Sequence, residues 1–520
     1  MTEPTTGPRR GIETSNAVAP SATQIETLES KGLVRLATVQ PEIEYLFRHW
    51  LVQDAAYGSL LKQERRDLHG RVGEVLEDLY SERRAELAAV LAMHFEVAGE
   101  TEKAIDYHLA AGNYGIQRNA FAEAFSAFDR AAALLPPPSA SDTEAARHRR
   151  VEILLGRAQA GYSFRSPADT LADLEAIAPE AAQLSEHELE ARVHTLIALG
   201  RLLEGDRPTD PAVRGSLDRI AEIGDQIGDP SLRALPLALV GMNDVFAGSI
   251  RNGVETLEEA VPLLEQRHDS IGAAFARGAL AIGLARLGEF AKAEDAVRRA
   301  NEIAEGGDLI AKLDALIAES LVRSEKGELD AAVPLAQTCV TKSEESGATA
   351  CILASSWILG DAYHRQGRFA EARDALQRGT EISQVVERKV WRPTLQAWLG
   401  ATAVALGGSG STDWDEALAT ARSIHNRHGE AGILAKRGEA AAARGEIEAA
   451  LADFEAASSI LEEEGGRPAL ARVLRGWGGA LNAVGRSSEA SPILRRAHAL
   501  FEELGLDAEA AAVQAVLSTF

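Results

Sequence analysis

Histidines, thiols and carboxylates are the side chains through which this chain could do chemistry. His425 and His428 stand three apart in a stretch that reads as helix, a spacing that puts two imidazoles on one face and can chelate a metal. No Cys, Asp or Glu is placed beside them as an obvious third ligand. His49 and Asp54 fall five apart in one predicted helix, with His69 in the next, where an acid–base or metal site is conceivable; packing and capping account for them more simply. His94 and His108 read as packing residues. The two cysteines, Cys339 and Cys351, fall on consecutive predicted helices and form neither a disulfide framework nor a ligand cluster. They read as buried thiols in a reducing compartment. The nucleophile, zinc and redox signatures G-x-S-x-G, H-E-x-x-H and paired C-x-x-C are absent. With 78 carboxylates in the chain, chance acidic pairs carry no information. The residues therefore predict a non-enzymatic protein with no catalytic, metal or cofactor site.

The elements that would position any site are helices. At 520 residues the chain is too long for one ordinary core, so it is either several domains or an elongated array. Apolar residues make up 46% and aromatics only 5%, with alanine and leucine recurring, which favours helices over strands. The net charge of −24 makes nucleic acid an improbable partner and keeps the surface solvated. No apolar run is long enough to span a bilayer, and the opening MTEPTTGPRRG has no apolar core behind its arginines, so neither a membrane span nor a secretory signal is expected. The expected location is the cytoplasm.

Along the chain, residues 1–23 read as a disordered tail rich in Pro, Thr, Ser and Gly. Residues 24–80 read as a helical segment, with a helix over Ile25–Lys31, a short strand over Leu33–Val39 and a long helix from Glu42 to Leu60, an order that suggests a winged-helix remnant. Helices follow over 81–138, until the run PPPS at 136–139 interrupts them. Residues 140–230, with Pro167, Pro179, Pro208, Pro211 and Pro230, read as irregular helical repeats with longer or bent connections. From 231 to 520 the pattern is periodic. A glycine ends one helix and an alanine follows five residues later, at Gly288/Ala293, Gly327/Ala332, Gly367/Ala372, Gly445/Ala450 and Gly485/Ala490, so the period is about 40 residues. Thr412/Ala417 is a displaced copy after the loop GGSGST, and Gly99/Ala104 and Asn119/Ala124 are earlier ones. The glycine suits the tight turn between antiparallel helices, and the alanine suits their crossing point. Each pair has an apolar stripe that only a stacked neighbour can bury, so the predicted fold is an all-α, right-handed superhelical solenoid of antiparallel helix pairs.

The unit resembles the tetratricopeptide repeat. In residues 353–386, Leu359, Gly360 and Tyr363 match the family's leucine, small residue and tyrosine on the first helix, and Ala372 and Leu376 match the core positions on the second. Trp357 stands one place from the family's tryptophan, Gly379 replaces a common alanine, and the late proline is missing. The longer period implies helices lengthened by about half a turn each relative to the family's 34 residues. A second resemblance covers residues 25–140. Phe47-Arg48-His49, Gln53-Asp54-Ala55-Ala56-Tyr57, Arg65-Arg66…Leu68-His69 and the string HFEVAGETEKAIDYHLAAG (94–112), with LRRAHALFEELG (494–505) near the end, are similar to the region after the ATPase domain in large bacterial signal-transduction ATPases. The phosphate loop G-x-x-x-x-G-K-[ST] is absent, so the family's ATP chemistry does not transfer. The resemblance implies the carboxyl half of such a regulator living apart, either as the partner of a separately encoded signalling module or as a gene split from one.

In tetratricopeptide arrays the first helix of each pair lines the concave face. That register places Trp357, Asp361, His364, Trp391, Trp398, Arg472 and Arg475 on or near this face. Aromatics with arginines are what a recognition groove uses; for the tryptophans, filling the gaps between lengthened helices is the competing account. Two functions follow. One is a scaffold that binds a protein or peptide in the concave face, with exposed Arg472 and Arg475 among the contacts. The other is a ligand-sensing subunit of a transcriptional or cyclase system, with a small molecule inside the superhelix. A compact apolar pocket lined by Trp357 and Trp391 would favour the sensor; an open, polar, elongated groove would favour the scaffold.

Overall fold

The computed structural model describes residues 22–38, 44–162, 165–267, 270–306, 309–385, 391–408 and 412–520. Most of the expected tail, residues 1–21, lies outside them, as do Val39, Val386 and residues 409–411 of the GGSGST loop. The chain divides into two compact units, one of Met1–Arg84 with Val90–Ala104 and one of Ala85–Ala89 with Ile105–Phe520.

In the first unit, helix Ala22–Ser30 leads into strand Val34–Thr38, which pairs antiparallel with Glu44–Phe47. The long helix expected from Glu42 is corrected here. Glu-Tyr-Leu-Phe takes the strand conformation because it supplies the partner that Val34–Thr38 needs, with Val34 opposite Phe47 and Leu36 opposite Tyr45. The helix starts only at Trp50, after an extended His49, and runs to Gly58; Lys62–Leu79 follows. Gly73 leaves room for Phe95, since a Cβ there would sit 2.9 Å from its ring, and the Lys103 ammonium lies 4.4 Å from the centroid of that ring.

The second unit is an all-α superhelical solenoid of antiparallel helix pairs. Of the five prolines in residues 140–230, three start a helix or helical turn, while Pro179 lies inside a helix and Pro208 in a connection. Pro167 and Pro211 open the helices Pro167–Ala181 and Pro211–Ile227, where the missing N–H costs nothing, and Pro230 opens a 3-10 turn. Within the array, Thr349–Arg365 and Phe369–Val385 show how a pair is made. Each runs to 17 residues. Gly367, at φ +74°, ends the first; its N–H reaches the His364 carbonyl at 3.0 Å, and the Arg368 N–H reaches that of Tyr363 at 2.9 Å. These bonds satisfy carbonyls that the helix end would otherwise strand. Ala372 is then fully buried at the crossing. Gly360 is small because Leu376 lies over it: a Cβ would come within 2.4 Å of Leu376 Cγ. Burying Leu376 completely contributes about 1.5–3 kcal/mol.

The same device recurs. Gly99, Gly288, Gly327, Gly445 and Gly485 have positive φ, as does Asn119, and Ala104, Ala124, Ala293, Ala332, Ala450 and Ala490 are fully buried. Only the displaced copy differs: Ala417 is buried, but the left-handed turn residue there is Gly407. One continuous hydrophobic core runs from Ala234 to Val513.

Candidate functional site

The first helices of the pairs carry the site. The turns at their ends in early repeats meet late repeats. A Cβ at Gly205 would lie 2.5 Å from Ile424 Cβ, one at Gly248 3.1 Å from Arg427 Cβ, and one at Gly288 2.2 Å from Leu504 Cδ2. Helix Ala234–Ala247 accordingly packs on Arg427–Ala443, and Ser270–Leu287 packs on Arg467–Ala483. Early and late repeats therefore meet across the interior and partly enclose a cavity of about 290 Å³.

One wall is aromatic. The Trp357 ring lies 6.2 Å from Trp391 and 5.9 Å from Trp398 between centroids, and Phe246 lies 6.2 Å from Trp391. Trp398 is held by donating from Nε1 to Asp361 Oδ1 at 2.8 Å, with the Lys436 ammonium 5.5 Å from its ring. Trp357 Nε1 is buried with no hydrogen-bond partner. Leu202, Met242 and Ile358 extend the apolar lining.

The other wall is ionic. Arg472 bridges two distant repeats: Nε donates to Glu509 Oε1 at 2.9 Å, Nη1 to Glu325 Oε2 at 2.6 Å and Nη2 to the Glu325 carbonyl at 2.5 Å. Burial works against its charge, but the two glutamates prevail and raise its pKa. Arg365 donates to the Ser324 carbonyl at 2.8 Å and stands 3.6 Å from Asp361. Burial pushes the Asp361 carboxyl up, yet Arg365, Lys436 and the Trp398 bond hold it below its ordinary value. Glu439 is likewise opposed by burial and brought down to about 2 by Lys436 and His364.

Of the residues expected on the concave face, Trp357, Asp361, Trp391, Trp398, Arg472 and Arg475 all line this one cavity. His364 lies just behind it, bonded to Thr402 Oγ1 at 2.9 Å and 3.5 Å from Glu439. The exposure expected of the two arginines is corrected for Arg472, whose side chain keeps 15%; Arg475 keeps 40%, its nearest carboxylate being Glu509 at 3.9 Å. Sequence reasoning missed Phe246, Arg286, Arg365, Lys436 and Glu439. The last three sit one turn from a residue already singled out or in the matching helix of the next pair, and Phe246 and Arg286 stand two residues before the turn glycines Gly248 and Gly288 as Arg365 does before Gly367, so the repeat register held a signal for all five.

The other sequence candidates do not assemble. His425 occupies a left-handed turn at φ +55° rather than a helix, and His428 pairs with Glu464 at 3.1 Å. His49 and Asp54 are exposed, whereas His69 bonds Tyr57 through Nε2 and His94 through Nδ1, each at 3.0 Å. Cys339 and Cys351 share one apolar cluster as free thiols, and burial raises both pKa values, that of Cys339 to about 11. Among the described residues no group of three or more His, Cys, Asp or Glu is placed to hold a metal ion, and no helix is long and apolar enough to cross a membrane.

No family model matches the chain. An uncharacterized protein of Rhizobium meliloti is 31% identical over 122 residues, which is 24% of this chain and only 12% of that protein. Among solved structures, that of Rap protein complexed with Competence and Sporulation Factor is similar at a TM-score of 0.51 and 13% identity, over 68% of this chain and 98% of its own. A Signal Transduction ATPase with Numerous Domains from Pyrococcus horikoshii, with a tetratricopeptide repeat sensor, aligns at a TM-score of 0.41 and 16% identity, over 74% of this chain and 57% of its own. The likeness to Rap is one of fold: a tetratricopeptide-like solenoid.

Proposed function

We propose that this chain is a non-catalytic, ligand-responsive regulatory solenoid. A small molecule occupies the interior cavity, and its presence changes how firmly the early and late repeats hold each other. A protein partner, such as a separately encoded signalling module, reads that change on the outside of the array. One observation carries the reading: the concave face is a compact pocket walled by Trp357, Trp391 and Trp398 and closed by contacts across the superhelix, rather than an open polar groove. A pocket of that size and lining suits a small ligand more than a folded partner. The Rap protein of similar fold is described in complex with a factor, which supports a bound effector in such a solenoid. The resemblance of residues 25–140 to the post-ATPase region of bacterial signalling ATPases supports the regulatory setting. Arg475 is the arginine left available to a ligand or partner, while Arg472 holds the closure.

The test uses N-phenyl-1-naphthylamine, a neutral aromatic probe whose fluorescence rises in apolar surroundings. The full chain should bind it saturably with a stoichiometry near one. Ala247 lines the cavity and is half-buried, so Ala247→Trp places an indole in the void. That variant should lose at least about tenfold in affinity with an unchanged melt, because the volume is taken without disturbing a packed core. Absent saturable binding, or equal binding by the variant, rejects the reading.

A further inference from the structure

Four Arg or Lys residues among those described are at least nine-tenths buried: Arg150, Arg277, Arg286 and Lys436. Three of them hold a carboxylate, Arg150 with Asp142 at 2.6 Å, Arg277 with Glu265 at 2.5 Å and Lys436 with Glu439 at 3.0 Å. Arg286 is different. It lines the cavity at 4% exposure, from the last turn of helix Ser270–Leu287. Its Nη1 donates to the Val245 carbonyl at 2.8 Å, its guanidinium lies 4.7 Å from the Phe246 ring centroid, and its Nε has no partner. Among the described residues no carboxylate comes within ion-pair distance. Glu325 and Glu464 act on it from farther away; Glu325 is paired with Arg472, and Glu464 pairs with His428 through Oε2 while its Oε1 is buried without a partner. Burial outweighs both and brings its pKa down to about 10, so at neutral pH it is a buried, charged and under-compensated cation.

A buried charge left so is costly unless something pairs with it. The lining adds a second indication. Five Arg or Lys side chains and three carboxylates face the cavity, in a chain whose net charge is −24. Four of these five cations have a carboxylate within 4.0 Å, Glu509 among them although it stands outside the lining, and among the described residues Arg286 is the cation of that lining without one. Beside it stand the indoles of Trp357 and Trp391, one with an unpartnered Nε1 donor.

We propose that the interior cavity selects a small, flat, apolar acid, with its ring or conjugated face against Trp357 and Trp391 and its anionic group at the Arg286 guanidinium. A planar guanidinium suits a carboxylate, sulfonate or phosphate because it offers parallel N–H donors, and in a water-poor cavity each such bond is strong. The inference rests on the reading of the cavity as a ligand site and adds the charge of the ligand.

Two probes with one ring system separate the two claims: neutral N-phenyl-1-naphthylamine and 8-anilino-1-naphthalenesulfonate, which adds a sulfonate. Both are titrated by fluorescence against the full chain, Arg286→Met and Ala247→Trp, with a circular-dichroism melt of each. In the unaltered chain the sulfonate should bind at least about tenfold more tightly than the neutral probe, one decade being about 1.4 kcal/mol. Arg286→Met should remove that advantage and leave the neutral probe within about twofold. Ala247→Trp should weaken both. Equal affinities in the unaltered chain, or a sulfonate advantage that survives Arg286→Met, overturn the anion inference while saturable, Ala247-sensitive binding of the neutral probe keeps the cavity reading. Failure of both probes to bind saturably overturns both. Should Arg286→Met not fold, the ratio of the two probes in the unaltered chain decides alone.

Discussion

Arg472 shows how a side chain's role depends on what lies across from it. On its own helix it stands three residues from Arg475 and shares a face with it, as two groups awaiting a partner would. In the folded array its partners are Glu509 and, 147 residues away in sequence, both a side-chain and a main-chain oxygen of Glu325. It is a clamp. Arg472→Glu sets a third carboxylate against these two; Glu509 keeps Arg365 at 3.5 Å and Arg475 at 3.9 Å, but Glu325 loses its ion pair in a largely buried place. Breaking a buried pair in this way costs about 3–5 kcal/mol. Arg475→Glu, at a side chain 40% exposed, should cost less than about 1 kcal/mol. Urea melts of the two single variants measure this, and equal midpoints for both would show that the bridge contributes nothing to stability.

Among the elements, the helix pair is the unit that repeats, and its tolerance is set where the two helices cross. Ala372 has no exposed surface, and its helix meets Thr349–Arg365 close to Gly360, where Leu376 already fills the space that a Cβ would take. Ala372→Leu must push the helices apart or force its own rotamer, at about 1–3 kcal/mol. Because neighbouring pairs share one core, part of that loss passes along the array. A urea melt should show a lower midpoint and a shallower slope as outer repeats detach first. An unaltered melt would mean that residue 372 does not sit at the crossing. Gly379 follows the same logic. A Cβ there would come within 2.9 Å of both Leu395 Cδ2 and Ser356 Cβ, so the glycine that departs from the tetratricopeptide pattern lets the next repeat approach.

At the level of the whole second unit, the property that matters is closure. Gly367 and Gly205 both end helices in the left-handed region, at φ +74° and +103°. Around Gly367 a Cβ meets nothing within 4 Å, whereas at Gly205 it would lie 2.5 Å from Ile424 Cβ and 3.1 Å from Ile424 Cα. Gly367→Ala should therefore cost only the backbone conformation, about 1–2 kcal/mol. Gly205→Ala should cost that and about 1–3 kcal/mol more for the blocked approach. Gly205 and Ile424 also line the cavity, so Gly205→Ala alone should weaken the neutral naphthylamine probe. Matching melts and matching probe affinities for the two variants would show that the solenoid is open in solution.

What was legible in the sequence was whatever is decided within one repeat. The turn glycine, the crossing alanine, the paired helices and their period depend on contacts made within about 40 residues, and Gly367, Ala372, Gly360 and Leu376 all do in space what their types imply. Six of the seven residues placed by the concave register line one cavity. Three things were not legible. The strand Glu44–Phe47 is hidden because its apolar run suits helix or strand and only the pairing with Val34–Thr38 chooses between them. The unpaired charge of Arg286 was invisible because it depends on which carboxylates other repeats have already taken. The closure itself is a sum. Each interface between repeats adds a small rotation, and only their total brings Gly205 to Ile424 and Glu325 to Arg472, so tertiary structure alone turns a groove into a cavity.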